Sequence, residues 1–108
     1  LKLLNKKKSS YVFTIISFPY SIEKALKVKQ NGRITPVWKK NIFKRSQDFE
    51  VSYHDAGQMY WGKSDSFLKE KIIFSQKSVP LYLPRYLARD IDTLEDWKEA
   101  ELLFRGNL

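Results

Sequence analysis

The chain has 108 residues, 43% of them hydrophobic and 15% aromatic, with a formal charge of +8 and no cysteine. That length holds one domain at most, or a piece of one, and the residue mix is that of a folded chain rather than a disordered one. The missing cysteine excludes a disulfide framework, a thiolate nucleophile and a zinc–thiolate cluster, and suits a reducing compartment such as the cytoplasm.

The positive charge suits polyanionic partners: nucleic acid, nucleotide phosphates or an acidic sugar. It is also what a lysine-rich surface gives with no such partner. No apolar run approaches the ~18–20 residues that span a bilayer, and no signal-peptide pattern opens the chain, so no membrane partner is expected. The sequence begins with Leu1 inside what reads as the end of a helix, and an upstream part is expected. Leu1, Leu3 and Leu4 precede Lys6, Lys7 and Lys8, cations that favour the negative end of a helix dipole.

Residues 11–18, Tyr-Val-Phe-Thr-Ile-Ile-Ser-Phe, form a nearly continuous apolar run rich in β-branched and aromatic side chains. Such a run predicts a strand buried on both faces, as in a parallel sheet covered by helices. Residues 22–29 and 34–38 flank Gln30-Asn31-Gly32-Arg33, and Asn-Gly between β-capable runs is a strong hairpin signal. Pro36 marks an edge. An isolated two-stranded ribbon is marginal in water, so this one is expected to lie against a sheet or a second subunit.

The stretch from 39 to 48 is polar and basic and reads as loop. Within it Arg45 and Gln47 bring a guanidinium and an amide close together, suited to a carboxylate or phosphate. A surface arginine is the plainer reading. In residues 53–62, Tyr-His-Asp-Ala-Gly-Gln-Met-Tyr-Trp-Gly, Gly57 marks a sharp turn or a close approach. If 58–61 is a strand, Gln58 and Tyr60 share one face. His54, the only histidine, either acts as a base beside Asp55 or simply hydrogen-bonds nearby.

A short helix is expected over 64–71 with Ser64 as its cap. Residues 79–84, with Pro80 and Pro84, read as extended backbone leading into Asp90-Ile91-Asp92-Thr93-Leu94-Glu95-Asp96-Trp97. On an extended segment Asp90 and Asp92 fall on one side, roughly 6–7 Å apart at ~3.3 Å per residue, within reach of one hard cation. Thr93 caps the following helix, with Asp96 in the capping-box relation. Asp and Thr cap helices equally well without a metal. A helix over 94–104 is predicted to bury Leu94, Trp97, Ala100 and Leu103 or Phe104. Walker, G-x-G-x-x-G, G-x-S-x-G and C-x-x-C patterns are all absent.

Three segments together resemble the carboxyl-terminal half of the acylneuraminate cytidylyltransferases: Arg45-Ser46-Gln47-Asp48, the 53–62 stretch, and Pro84-Arg85-Tyr86-Leu87-Ala88-Arg89-Asp90-Ile91-Asp92-Thr93-Leu94-Glu95-Asp96-Trp97. The first two look closest to the branch that acts on pseudaminic acid. The resemblance implies an α/β fold, the carboxyl-terminal part of a Rossmann-like nucleotide-diphospho-sugar transferase sheet, with a projecting β-hairpin arm for dimerisation. It divides the chain into a helix end and central strand (1–21), a hairpin arm (22–40) and a sugar- and metal-site half (41–108).

By the same resemblance the reaction joins CMP from CTP to a nonulosonic acid and releases pyrophosphate. Asp90 and Asp92 match the family's catalytic, magnesium-binding aspartates, and Arg45, Gln47, Asp55, Gln58 and Tyr60 are implied to contact the sugar. A homodimer through residues 22–38 is expected. The family's nucleotide-binding half is missing from the match, so these residues alone are expected to be inactive. Two other readings stand beside this one. A small basic module could grip nucleic acid, against which the acids at Asp90, Asp92, Glu95 and Asp96 argue; a structural remnant could merely dimerise.

Overall fold

A computed structural model describes residues 1–6, 8–69 and 71–106 and shows a mixed α/β chain. Its strands are β1 (Tyr11–Ser17), β2 (Leu26–Val28), β3 (Ile34–Pro36), β4 (Tyr53–Gly62) and β5 (Ser78–Tyr82). The helices are α1 (Lys2–Lys6), α2 (Ser64–Leu68) and α3 (Leu94–Gly106). Two compact units result, one of residues 1–16 and 55–108 and one of residues 17–54. Of the lysine run after α1, Lys7 and the side chain of Lys6 lie outside the described residues.

The first unit is built on β1, the centre of a three-stranded sheet ordered β4-β1-β5. This is the strand that the apolar run of residues 11–18 predicts. Its β5 neighbour is parallel, with Tyr11 opposite Ser78 and Ile15 opposite Tyr82. Pro80 sits in β5, an outer strand of the sheet, where a missing N–H costs least. On the other side, Lys63 N–H donates to the Ser10 carbonyl (3.3 Å) and Met59 N–H to Thr14 Oγ1 (3.2 Å), so β4 runs antiparallel to β1.

Burial is concentrated around β1. Tyr11 is 1% exposed, and its hydroxyl proton is shared between the carbonyls of Ser66 (3.0 Å) and Lys71 (2.9 Å). Its ring meets Phe67 edge-on at 5.0 Å. Gly62 lies against that ring: a Cβ there would stand 2.5 Å from Tyr11 Cδ1 and 2.8 Å from Phe67 Cε2. Ile16, Ala56 and Ala88 form a small apolar cluster with Leu83, whose N–H donates to the Ile15 carbonyl.

The second unit holds the predicted hairpin. β2 and β3 are antiparallel, pairing Leu26 with Pro36 and Val28 with Ile34. Lys29 N–H donates to the Arg33 carbonyl, Arg33 N–H to Asn31 Oδ1, and Gly32 takes φ +82°, so Asn-Gly makes the turn as its chemistry predicts. Leu26, Val28 and Ile34 are exposed. Residues 22–24 form a 3-10 turn rather than part of the strand.

Three local expectations are corrected. Ser64 is the first residue of α2 rather than its cap; Lys63 holds the cap position, where its side chain accepts no capping bond, and the helix ends at Leu68. α3 forms, but its apolar stripe is not buried: Leu94 is 80% exposed, Trp97 53% and Phe104 68%, with only Ala100 and Leu103 partly covered. Third, Asp90 and Asp92 do not ride on a strand end. β5 stops at Tyr82, and Pro84 leads into a 3-10 turn over Arg85–Leu87, which leaves the acids on irregular backbone before α3. No helix among the described residues is long and apolar enough to cross a membrane.

Candidate functional site

In a straight strand, residues five apart point to opposite faces and lie about 16 Å apart. Asp55 and Tyr60 are five apart in β4, yet the Tyr60 hydroxyl donates a hydrogen bond to Asp55 Oδ2. The strand must therefore depart from regular pleating between them. Gly57 supplies the departure, with φ +68° in the left-handed region that side-chain-bearing residues avoid. A Cβ at Gly57 would meet nothing within 4 Å, so of the two roles open to this glycine it is the turn that applies and not a close approach.

The register shows the same departure. Phe18 N–H donates to the Ser52 carbonyl and Lys63 N–H to the Ser10 carbonyl, and between those bonds the β4 side carries three more residues than the β1 side. Extra residues on one strand make a bulge, which re-aims side chains. Asp55 is held in this kink by its own chain, since Oδ1 accepts the Gly57 N–H at 2.9 Å. One carboxylate oxygen thus fixes the kink and the other holds the phenol.

The Tyr60 ring is fixed independently. It stacks on Phe13 of β1 at 5.9 Å between centroids with 29° between planes. Phe13 is in turn braced edge-on by Phe74 at 5.3 Å. The Tyr60 hydroxyl is raised above its ordinary pKa of 10.0, first by the bond to Asp55, then by desolvation, and then by the negative charges of Asp55 and Asp90. Asp55 and Tyr60 therefore come together in the first unit, to which Asp90 also belongs.

Asp92 stands at the start of α3, where the predicted capping box forms. Asp96 N–H donates to Thr93 Oγ1 (3.1 Å), while Asp96 Oδ2 accepts the N–H groups of Thr93 and Asp92, each at 3.0 Å. These bonds hold the Asp96 carboxyl below its usual value, the Asp92 N–H contributing most, then the Thr93 hydroxyl and N–H, with a smaller part from Arg89. Arg89 also pairs with Glu99, tying the acidic segment to α3. Both Asp90 and Asp92 are exposed. Among the described residues no three His, Cys, Asp or Glu side chains are gathered as a metal cage. Magnesium is commonly held by one or two carboxylates with phosphate oxygens and water completing the shell, so the two exposed acids fit it as a donor set.

The remaining sequence-predicted residues are placed differently. Gln58 turns its amide back to its own strand, Nε2 donating to the Ala56 carbonyl at 3.4 Å. Arg45 and Gln47 belong to the second unit, Gln47 within the exposed 3-10 turn Ser46–Asp48. Asp48 accepts both the Arg45 backbone N–H (3.3 Å) and its guanidinium (3.5 Å). That ion pair is open to solvent, the kind worth at most about 1 kcal/mol, and an incoming anion can displace it. His54 packs its ring on Phe18 at 4.7 Å. Phe13 is the participant that pattern reading missed: inside a continuous apolar run nothing distinguishes a residue that supports a site from one that fills a core.

No family model matches the chain. It is 37% identical over 99 residues to a pseudaminic acid cytidylyltransferase of Campylobacter jejuni serotype O:2, and equally to that of serotype O:23/36. Those matches cover 92% of this chain and 43% of each relative, so the chain spans less than half the length of the proteins it resembles. It is also 37% identical over 89 residues to a Helicobacter pylori protein named pseudaminic acid cytidylyltransferase and UDP-2,4-diacetamido-2,4,6-trideoxy-beta-L-altropyranose hydrolase, covering 82% of this chain and 17% of that relative.

Proposed function

Starting from this kinship with the pseudaminic acid cytidylyltransferases, we propose that the chain is the carboxyl-terminal, sugar- and metal-site portion of an enzyme that transfers CMP from CTP to pseudaminic acid or a close nonulosonic acid, releasing pyrophosphate. The observation that carries the reading is the pairing of Asp55 with Tyr60 across a kink in β4, on a chain 37% identical to enzymes so named. In the reaction a sugar hydroxyl attacks the α-phosphorus of CTP and the pyrophosphate oxygen leaves in line. Asp90 and Asp92 would hold Mg2+, which when bound neutralises phosphate charge and orients the groups.

The chain's own residues bind and orient the sugar. Tyr60, set by Phe13 and Asp55, offers a fixed phenol to a hydroxyl or amide of the substrate. Gln58 can turn outward from its weak 3.4 Å bond to serve as a second contact. In the second unit, Arg45 and Gln47 by themselves are candidates for an anionic group, for which the exposed guanidinium can give up Asp48. The exposed apolar side chains of the β2–β3 ribbon favour its use as a homodimer arm.

Nothing in these 108 residues supplies a glycine-rich loop to cradle a triphosphate, so we propose that they do not turn over by themselves. The test is a chimera in which this chain replaces the matching stretch of the Campylobacter jejuni enzyme. With CTP, Mg2+ and pseudaminic acid the chimera is expected to form CMP-pseudaminic acid and the isolated chain none. A folded chimera that binds CTP yet forms no CMP-sugar would contradict the proposal.

A further inference from the structure

Asp55 and Tyr60 also carry a statement about which atom of the sugar they recognise, resting on the function proposed above. A phenol has a single proton, and here it is directed at Asp55 Oδ2. The Asp55 carboxylate is itself prevented from swinging away, because its other oxygen takes the Gly57 N–H at 2.9 Å. The Tyr60 ring cannot easily rotate out of register, being stacked on Phe13, which leans on Phe74. Tyr60 is still 40% exposed, so the side chain remains open to a ligand. With the proton committed inward, what that oxygen presents outward is lone pairs.

We propose that Asp55 is a positioning residue that fixes Tyr60 as a hydrogen-bond acceptor, so that the substrate group meeting Tyr60 is a donor, an amide N–H or a hydroxyl, and not the sugar carboxylate. Selection follows from the cost of an unmatched group: a sugar that places a carbonyl oxygen opposite Tyr60 leaves two acceptors facing each other. The device is written into the sequence as Asp-x-Gly-x-x-Tyr, where the glycine permits the kink and the acid two residues before it uses it to reach the tyrosine.

The experiment measures pseudaminic acid binding to the 108-residue chain by titration calorimetry in four forms, unchanged, Asp55→Ala, Tyr60→Phe and the double variant, with 13C at tyrosine Cζ reporting the Tyr60 signal in the first two. Asp55→Ala and Tyr60→Phe are each expected to weaken the sugar about five- to tenfold, and the double variant no further than Tyr60→Phe alone, because Asp55 acts through Tyr60. The Tyr11 signal, from the buried ring packed against Gly62, reports that each variant is folded. If folded Asp55→Ala binds as tightly as the unchanged chain, or if the two effects simply add, the positioning role is wrong and the proposed function stands. If the unchanged chain shows no response to the sugar at Tyr60, the sugar-site reading fails and this inference with it.

Discussion

In the first unit, Tyr11 reaches 55 and 60 residues along the chain to the carbonyls of Ser66 and Lys71, and β1 lies between two strands far from it in sequence. The ribbon of the second unit is instead closed by bonds across its own turn, Lys29 to Arg33 and Gly32 to Lys29, and leaves Leu26, Val28 and Ile34 open to water. The second unit also carries eight of the twenty Lys and Arg but only three of the twelve Asp and Glu, whereas the acids that form recognisable site geometry are in the first. Long-range fixing permits a site to be held to fractions of an ångström, which catalysis demands. A locally closed ribbon with apolar outer faces is better suited to be gripped by something else.

Gly62→Ala should separate the two units most. The new Cβ would press on a Tyr11 ring tethered at its hydroxyl, so the first unit is expected to lose about 2–3 kcal/mol, read as a lowered urea midpoint. An unchanged midpoint would mean that Tyr11 is not the fixed point described.

Gly57→Ala and Gly32→Ala form a matched pair, one in each unit. Both glycines have positive φ and neither Cβ would meet an atom within 4 Å, so each substitution should cost about 1 kcal/mol through backbone conformation alone. Only Gly57→Ala should also weaken pseudaminic acid, because only there does the kink aim Asp55 at Tyr60. Equal sugar binding by the two variants would break the distinction between the units.

The smallest expected effect is at the start of α3. Asp96 has a lowered folded pKa, so its contribution to stability is present above the unfolded carboxyl value near ~3.9 and is lost as pH falls through the folded value. The urea midpoint should therefore fall between pH 6 and pH 3 by more in the unchanged chain than in Asp96→Asn. Thr93→Ala, which removes the other half of the cap, should cost about 1 kcal/mol at pH 7.

Much of this was legible in the sequence where the signal is local. The run at 11–18 specified a central strand because both its faces are apolar, Asn31-Gly32 specified a turn through its φ preference, and Thr93 with Asp96 specified a cap. The failures were of two kinds. The apolar stripe of α3 reports which face prefers burial, but Leu94, Trp97 and Phe104 stay exposed because periodicity does not supply a covering surface. The straight-strand placement of Asp90 and Asp92 failed because Pro84 and the 3-10 turn over Arg85–Leu87 intervene. The Asp55–Tyr60 pair was hidden for a related reason: period-two reasoning separates residues five apart, and only the positive φ of Gly57 reunites them. That glycine, Asp55 and Tyr60 were each visible; the bond between the acid and the phenol was not.

We propose that the acids of the first unit carry the chemistry. This is tested most directly by CMP-pseudaminic acid formation in the chimera bearing Asp90→Asn, beside a control bearing Lys27→Gln in the ribbon. The account predicts a loss of about 10²–10³-fold in kcat for Asp90→Asn, in line with removing one preorganised charge at a phosphoryl-transfer centre, and a change of less than about twofold for Lys27→Gln. Full turnover by the Asp90→Asn chimera would contradict it.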